Sequence, residues 1–184
     1  MFSSIEDALI DYSKGKIIIV VDDENRENEG DMICAADFST PENINYMAQN
    51  ARGLICVAID KTIAKRMELN QMVEQNTESM KTAFTVSIDA DEKYGVTTGI
   101  SAFDRAKTIQ ILIDKNSKPE DLRRPGHLFP CVAREGGVLE RIGHTEAVVD
   151  FAKLTGLTPA GAMCEIMTPD GHMARRDFII KFAK

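Results

Sequence analysis

At 184 residues, 43% hydrophobic and 28% charged, the chain has the size and composition of one globular domain that buries roughly 70% of its unfolded surface. A net charge of −7, with no basic run and no aromatic platform, argues against a nucleic-acid surface. No apolar stretch is long enough to span a membrane, and Glu6 and Asp7 stand where a signal peptide is apolar, so a cytoplasmic location is expected.

Ser3 or Ser4 is placed to cap a first helix through Tyr12, with Gly15 ending it. The β-branched run 16–21 reads as a buried strand and 32–36 as a second. Thr40-Pro41-Glu42 offers a cap, a proline at the first helical position and an acid in the first turn, which predicts a helix to about Arg52. A third strand is expected at 54–59 and a short helix at 62–69, followed by a polar loop over 70–82. Residues 84–88 have strand character, and Ser101 with Asp104 forms a capping pair for a helix from about Ala102. Residues 119–130 are turn-rich, 131–133 strand-like, and Thr145 is expected to cap a helix over 146–154. An apolar strand at 162–167 is interrupted by Glu165, and an amphipathic helix begins at Arg176 and runs to Lys184. Strands and helices mix without a strict βαβ rhythm, which predicts a single-domain α/β (α+β) sandwich with a mixed β-sheet flanked by helices. Neither a G-x-G-x-x-G after a strand nor a P-loop pattern is present.

Cys34, Cys56, Cys131 and Cys164 are far apart and form no C-x-x-C pair, which fits free thiols in a reducing compartment. The densest chemistry lies in Asp22-Asp23-Glu24-Asn25-Arg26-Glu27-Asn28-Glu29-Gly30-Asp31, ten residues with six carboxylates and one arginine directly after an apolar run. Two readings stand: a solvated acidic loop at a strand end, or a site for a hard cation or a cationic ligand. Glu27, Glu29 and Asp31 are spaced by two, so an extended backbone points them to one side and favours the cation. A calcium hand fails on register, because Ala36 falls where the bidentate glutamate is required.

Further along, Arg141-Ile142-Gly143-His144-Thr145 combines a forked donor with a helix start, a pattern suited to phosphate that also carries an imidazole able to ligate metal. A histidine that merely caps a turn is the alternative. His127, beside Arg123 and Arg124, is open between structure and function, while His172 reads as a surface residue. Glu165 either faces solvent or is an acid/base with a tuned pKa, and Cys56 reads as packing. Together these groups suit a divalent-metal enzyme acting on a small phosphorylated, polyhydroxylated compound.

Four stretches, Asp22 to Asp31, Gly95-Val96-Thr97-Thr98-Gly99-Ile100-Ser101-Ala102, Arg123-Arg124-Pro125-Gly126-His127-Leu128-Phe129-Pro130 and Arg141 to Ala147, closely resemble the 3,4-dihydroxy-2-butanone 4-phosphate synthases of riboflavin biosynthesis. The likeness spans nearly the whole chain with its motifs in order. It implies conversion of D-ribulose 5-phosphate to L-3,4-dihydroxybutan-2-one 4-phosphate and formate, with two Mg2+ or Mn2+ ions per site. It also implies a homodimer whose active sites lie near the subunit interface, without nucleic-acid or membrane partners. By motif, Glu27 and His144 are the implied metal ligands, with Glu27 bridging two ions. Arg26, Glu27, Asp31, Thr98, Glu165 and the run Arg141, Ile142, Gly143, His144, Thr145 are the implied substrate contacts. His127 and Glu165 are implied to be essential for catalysis, with Glu29, Asp31 and Cys56 lining the site. A metal-dependent sugar-phosphate isomerase or aldolase that releases no formate, and a non-catalytic binding module, are the competing classes. In some relatives a GTP cyclohydrolase II domain follows, so residues 176–184 read either as a terminal helix or as the start of a linker. Activity is not expected to need them, since every motif lies upstream.

Overall fold

The computed structural model describes residues 2–183; Met1 and Lys184, the expected end of the terminal helix, lie outside the described residues. Six strands form one sheet: β1 (Ile18–Val21), β2 (Gly30–Ala35), β3 (Cys56–Ile59), β4 (Ile88–Ala90), β5 (Leu122–Val132) and β6 (Ala160–Glu165), in the spatial order β1-β2-β6-β3-β5-β4. Only β3 and β5 pair in parallel; the other neighbours are antiparallel, so the sheet is mixed as expected.

Helices cover both faces. On one side Met32, Cys34, Val57 and Cys164 meet α2 (Pro41–Asn50), α3 (Lys61–Arg66), α4 (Ala102–Ile113) and α6 (Arg176–Phe182) through Ile44, Met47, Ile63, Ile109, Leu112 and Ile179. On the other, Ile33, Ala35, Cys56, Ala58 and Met163 meet α1 (Ile5–Ser13) and α5 (His144–Leu154) through Tyr12, Val148, Val149 and Ala152. Burial on both faces explains why β2 and β6 read as near-continuous apolar runs rather than alternating ones. All four cysteines are free and buried. No helix among the described residues is long and apolar enough to cross a membrane.

Local signals set most helix starts. Ser4 accepts from the Asp7 amide, Thr40 from Asn43 with Pro41 in the first turn, and Ser101 from Asp104. Asp60 caps α3, so this helix begins earlier than expected. Three expectations are corrected. Residues 119–130 are not a turn region, because Leu122–Val132 is one long strand. Its Pro125 falls in the bulge between the Ile88–Leu128 and Asp89–Arg123 pairs, beyond the reach of β3, a position at which a missing N–H is tolerated. The strand expected at 84–88 is reduced to isolated bridges at Phe84 and Thr85, with the ladder starting only at Ile88. Thr145 does not cap α5; Gly143 is the capping residue and makes no side-chain bond, which leaves the first-turn N–H groups available.

Candidate active site

The acidic stretch joins β1 to β2, but not as an extended segment. Asp22 folds it into a turn: its Oδ2 accepts from the Glu27 amide at 3.0 Å and Arg26 Nη1 at 2.8 Å, and its Oδ1 accepts from the Glu29 amide at 2.8 Å. These bonds outweigh the burial that would raise the Asp22 pKa and hold it below the usual range. Asn28 has a left-handed backbone, φ 54°, which reverses the chain before β2. The acids therefore converge through a turn, and the same-side reading by twos is corrected for Glu27.

Asp31 and Glu165 are direct register partners on β2 and β6 and point to the α5 side of the sheet, like Ile33 and Met163. The first turn of α5 brings His144 to the same place. Its Nδ1 lies 3.8 Å from Glu27 Oε2 and 3.7 Å from Asp31 Oδ1, too far for hydrogen bonds. Ligand atoms of Asp22, Glu27 and His144 fall within 4.8 Å of one another, a set able to hold a metal ion. Asp31 Oδ1 and His144 Nε2 are buried without any hydrogen-bond partner among the described residues. Unpartnered acceptors among carboxylates and an imidazole fit a divalent cation, and Mg2+ or Mn2+ suits this oxygen-rich set. Asp22 spends both oxygens on the turn, whereas Glu27 is held only through Oε2, by Arg26 Nη1 at 2.6 Å, and its Oε1 makes no hydrogen bond among the described residues.

The electrostatics agree. Burial pushes the Asp31 carboxyl well up, and Glu165, Glu27, Glu29 and Asp22 add to the shift. Glu29 is raised by burial and Glu27, and Glu165 is raised by burial against the pull of the Leu54 N–H, which donates to Oε2 at 2.9 Å. Glu165 is thus aimed into the acid cluster rather than at solvent. Gly53 permits this approach, since a Cβ there would stand 2.7 Å from Glu165 Oε2. Burial lowers the His144 pKa, which keeps a lone pair available for metal. Cys56 is on the same face, and its thiol is pushed far up by a hydrogen bond with Cys131 and by burial, which disfavours the nucleophilic thiolate.

Arg141 stands at the entry to α5. Its Nη1 donates to Glu146 Oε2 at 2.6 Å, Nη2 to Thr82 Oγ1 at 2.9 Å and Nε to the Met80 carbonyl at 3.1 Å. Five N–H donors minus these three leave one on each terminal nitrogen for an anion. Thr145 is buried behind Gly143, while Ile142 is exposed. Thr98 is exposed and lies by Gly99, on the turn before α4. His127 lies two residues before Phe129, which pairs with Cys56, so it shares the face and end of the sheet with Glu165. The structure thus gathers Arg26, Glu27, Glu29, Asp31, His144 and Glu165 tightly, and sets His127 and Thr98 farther out.

Sequence reasoning missed Asp22, Asp89 and Glu146 as organising residues. An aspartate opening a polar turn was a visible signal for Asp22; Asp89 acts through a contact 38 residues away, and Glu146 through Arg141 and the Arg134 amide, 5 and 12 residues away. The terminal segment is also closer than expected: Arg175 Nη1 donates to the Glu27 and Asn28 carbonyls at 2.8 Å, and Ile179 packs against Gly30. A cleft of about 660 Å³ beside α3, lined by Lys61, Lys65, Arg134 and Glu135, includes none of the acid-cluster residues.

The family model for 3,4-dihydroxy-2-butanone 4-phosphate synthase matches residues 6–184. The chain belongs to this family. The riboflavin biosynthesis protein RibBA of Synechocystis sp. is 58% identical over 184 residues, covering 100% of this chain and 33% of that protein. A 3,4-dihydroxy-2-butanone 4-phosphate synthase solved in complex with two magnesium ions superposes with a TM-score of 0.94 at 38% identity, covering 99% of this chain and 89% of that one. RibBX of A. baumannii, a two-domain synthase, superposes at 0.93 with 46% identity, covering 98% of this chain and 53% of that one. The chain spans between a third and about half of the length of the curated relatives it matches.

Proposed function

We propose that the chain converts D-ribulose 5-phosphate to L-3,4-dihydroxybutan-2-one 4-phosphate and formate, the synthase step of riboflavin biosynthesis. The observation that carries this reading is the unpartnered pair Asp31 Oδ1 and His144 Nε2, beside Glu27 and next to the anion cradle, in a chain of this family. Glu27 and His144 would hold the metal. Mg2+ or Mn2+, when bound, supplies Lewis-acid polarisation of the substrate oxygens.

The chain's own groups do the rest. Arg26 and Asp31 grip the hydroxylated end of the substrate. The spare N–H groups of Arg141 and the open first turn of α5 through Thr145 take the phosphate, with Thr98 as a further contact. Glu165, whose burial favours its protonated form, exchanges a proton beside the ketone, and His127 serves as the second acid–base group. Loss of water, a carbon shift, and return of one water as the carbon is released as formate follow, so that substrate gives product and formate with no net change in water. Glu29 and Cys56 wall the site. Two copies form a homodimer with the sites near the interface; the exposed apolar side chains Ile100, Phe103, Leu139 and Ile142 beside the two substrate motifs support this. The enzyme works in the cytoplasm.

Expression in a riboflavin-requiring strain that lacks the synthase tests the reading. Growth without riboflavin is expected from the wild-type chain and not from Glu27→Gln. Failure of the wild-type chain to support growth, when it accumulates as folded protein, would count against the proposed activity.

A further inference from the structure

Beyond the acid cluster, a constrained polar pair joins β4 to β5. Asp89 is buried, and its carboxylate holds His127 at two points. Oδ1 accepts from the His127 backbone N–H at 2.9 Å, and Oδ2 lies 2.7 Å from the ring Nδ1. A carboxylate offers only lone pairs, so Nδ1 carries the proton and the lone pair of the neutral ring is on Nε2. Nε2 makes no hydrogen bond among the described residues, and the His127 side chain is 46% exposed, against 12% for Asp89.

The carboxylate has little freedom to turn away. Gly99 packs directly on it: a Cβ there would stand 2.1 Å from Asp89 Oδ2. Gly99 is itself fixed, with φ 98° and its amide donating to Asp104 Oδ2 at 3.1 Å, while Asp104 also binds Thr97 through its amide and hydroxyl. From the other side Gly126 presses on the backbone of β4, where a Cβ would be 2.3 Å from the Asp89 amide nitrogen. The ladder shifts register between Ile88, which pairs with Leu128, and Asp89, which pairs with Arg123, so residues 124–127 of β5 bulge and bring His127 to the Asp89 carboxylate. Two glycine-bearing motifs, distant in sequence, thus close around one carboxylate whose only side-chain partner among the described residues is His127.

We propose that Asp89 is a positioning residue for the reaction: it locks His127 in the Nδ1–H tautomer and so presents Nε2 as a proton acceptor. The proposal rests on the acid–base role given to His127 above and adds the group that sets its direction.

Asp89→Asn tests it. The amide keeps the size and can still accept the backbone N–H, but its NH2 donates to Nδ1 and forces the proton onto Nε2. Long-range 1H–15N spectra of the histidine rings read the tautomer directly, with assignment by His127→Gln. In the wild type the protonated-type nitrogen of His127 is expected at Nδ1, and in Asp89→Asn at Nε2. Steady-state kinetics should show kcat lowered by about 10²-fold or more, the usual worth of a positioned acid–base group, with KM little changed. A wild-type ring protonated at Nε2, or a variant that keeps Nδ1–H, would overturn the positioning proposal; the wild-type spectrum alone decides this if the variant does not fold. A swapped tautomer with unchanged kcat would overturn it as well, by removing His127 from proton transfer. Failure of the proposed function itself would look different, as wild-type protein that releases no formate whatever its tautomer.

Discussion

Arg141 and Glu146 form a buried ion pair at the mouth of the phosphate cradle, and its energetics can be worked from the contacts. Their side chains are 15% and 2% exposed, and the pair is 2.6 Å long. Glu146 also accepts from the Arg134 amide at 3.0 Å, so it holds together the end of β5 and the start of α5. Arg141→Met strands a buried carboxylate, which costs about 3–5 kcal/mol. It also removes the bonds to Thr82 and Met80, each worth roughly 0.5–1.5 kcal/mol. Arg141→Lys keeps one ammonium for Glu146 and loses the other two bonds, about 1–3 kcal/mol in stability, together with the forked geometry. The double variant Arg141→Met/Glu146→Leu removes the stranded charge, so it should unfold at a higher urea concentration than Arg141→Met alone despite carrying two changes. Urea unfolding of the metal-free protein, followed by circular dichroism at constant m-value, gives the full cycle. If the double variant lost the sum of the two single losses to within about 0.5 kcal/mol, the pair would be uncoupled and the reasoning refuted.

Glu27→Gln should leave the urea midpoint nearly unchanged and cut formate release at limiting Mg2+ by more than about 10²-fold; normal turnover would remove Glu27 from the metal site. Burial, and then Glu165 and its acidic neighbours, raises the Asp31 pKa above its unfolded value of about 3.9, so Asp31 stabilises the metal-free fold only at low pH and this contribution is lost as pH rises through the folded value. Asp31→Asn should therefore raise the metal-free melting temperature at pH 8, by about 2–4 °C per kcal/mol relieved, and bring no such gain at pH 4; equal changes at both would contradict the assignment. Ile179→Ala should cost about 2–5 kcal/mol and weaken Mg2+ binding, because Ile179 props Gly30 at the foot of the acidic turn. Unaltered metal affinity would restore the view that the terminal helix is dispensable to the site.

Helix starts were legible in the sequence because capping is local: Thr40 with Pro41, and Ser101 with Asp104, act within one turn. The cation and phosphate motifs were legible because their charges are contiguous. What escaped is what the tertiary fold imposes. The stretch around Arg124, Pro125 and Gly126 carries turn residues and bulges within β5, while β3 and β4 pair the residues on either side of it, with Gly126 needed for close approach to Ile88. Thr145 has a capping side chain, but Gly143 takes the cap because Arg141 and Glu146 close over it. Spacing by twos suggested that Glu27, Glu29 and Asp31 converge as on a strand; they converge because Asp22 gathers backbone amides and Asn28 turns the chain. Asp89 gave no local signal, since its partner is 38 residues away.

The most direct test of the account is formate release by the purified chain from D-ribulose 5-phosphate, followed together with substrate loss. One formate per substrate consumed is predicted in the presence of Mg2+, with none after chelation and recovery when Mg2+ or Mn2+ is restored. Consumption of substrate without formate, as an isomerase or aldolase would give, or binding without consumption, would contradict it.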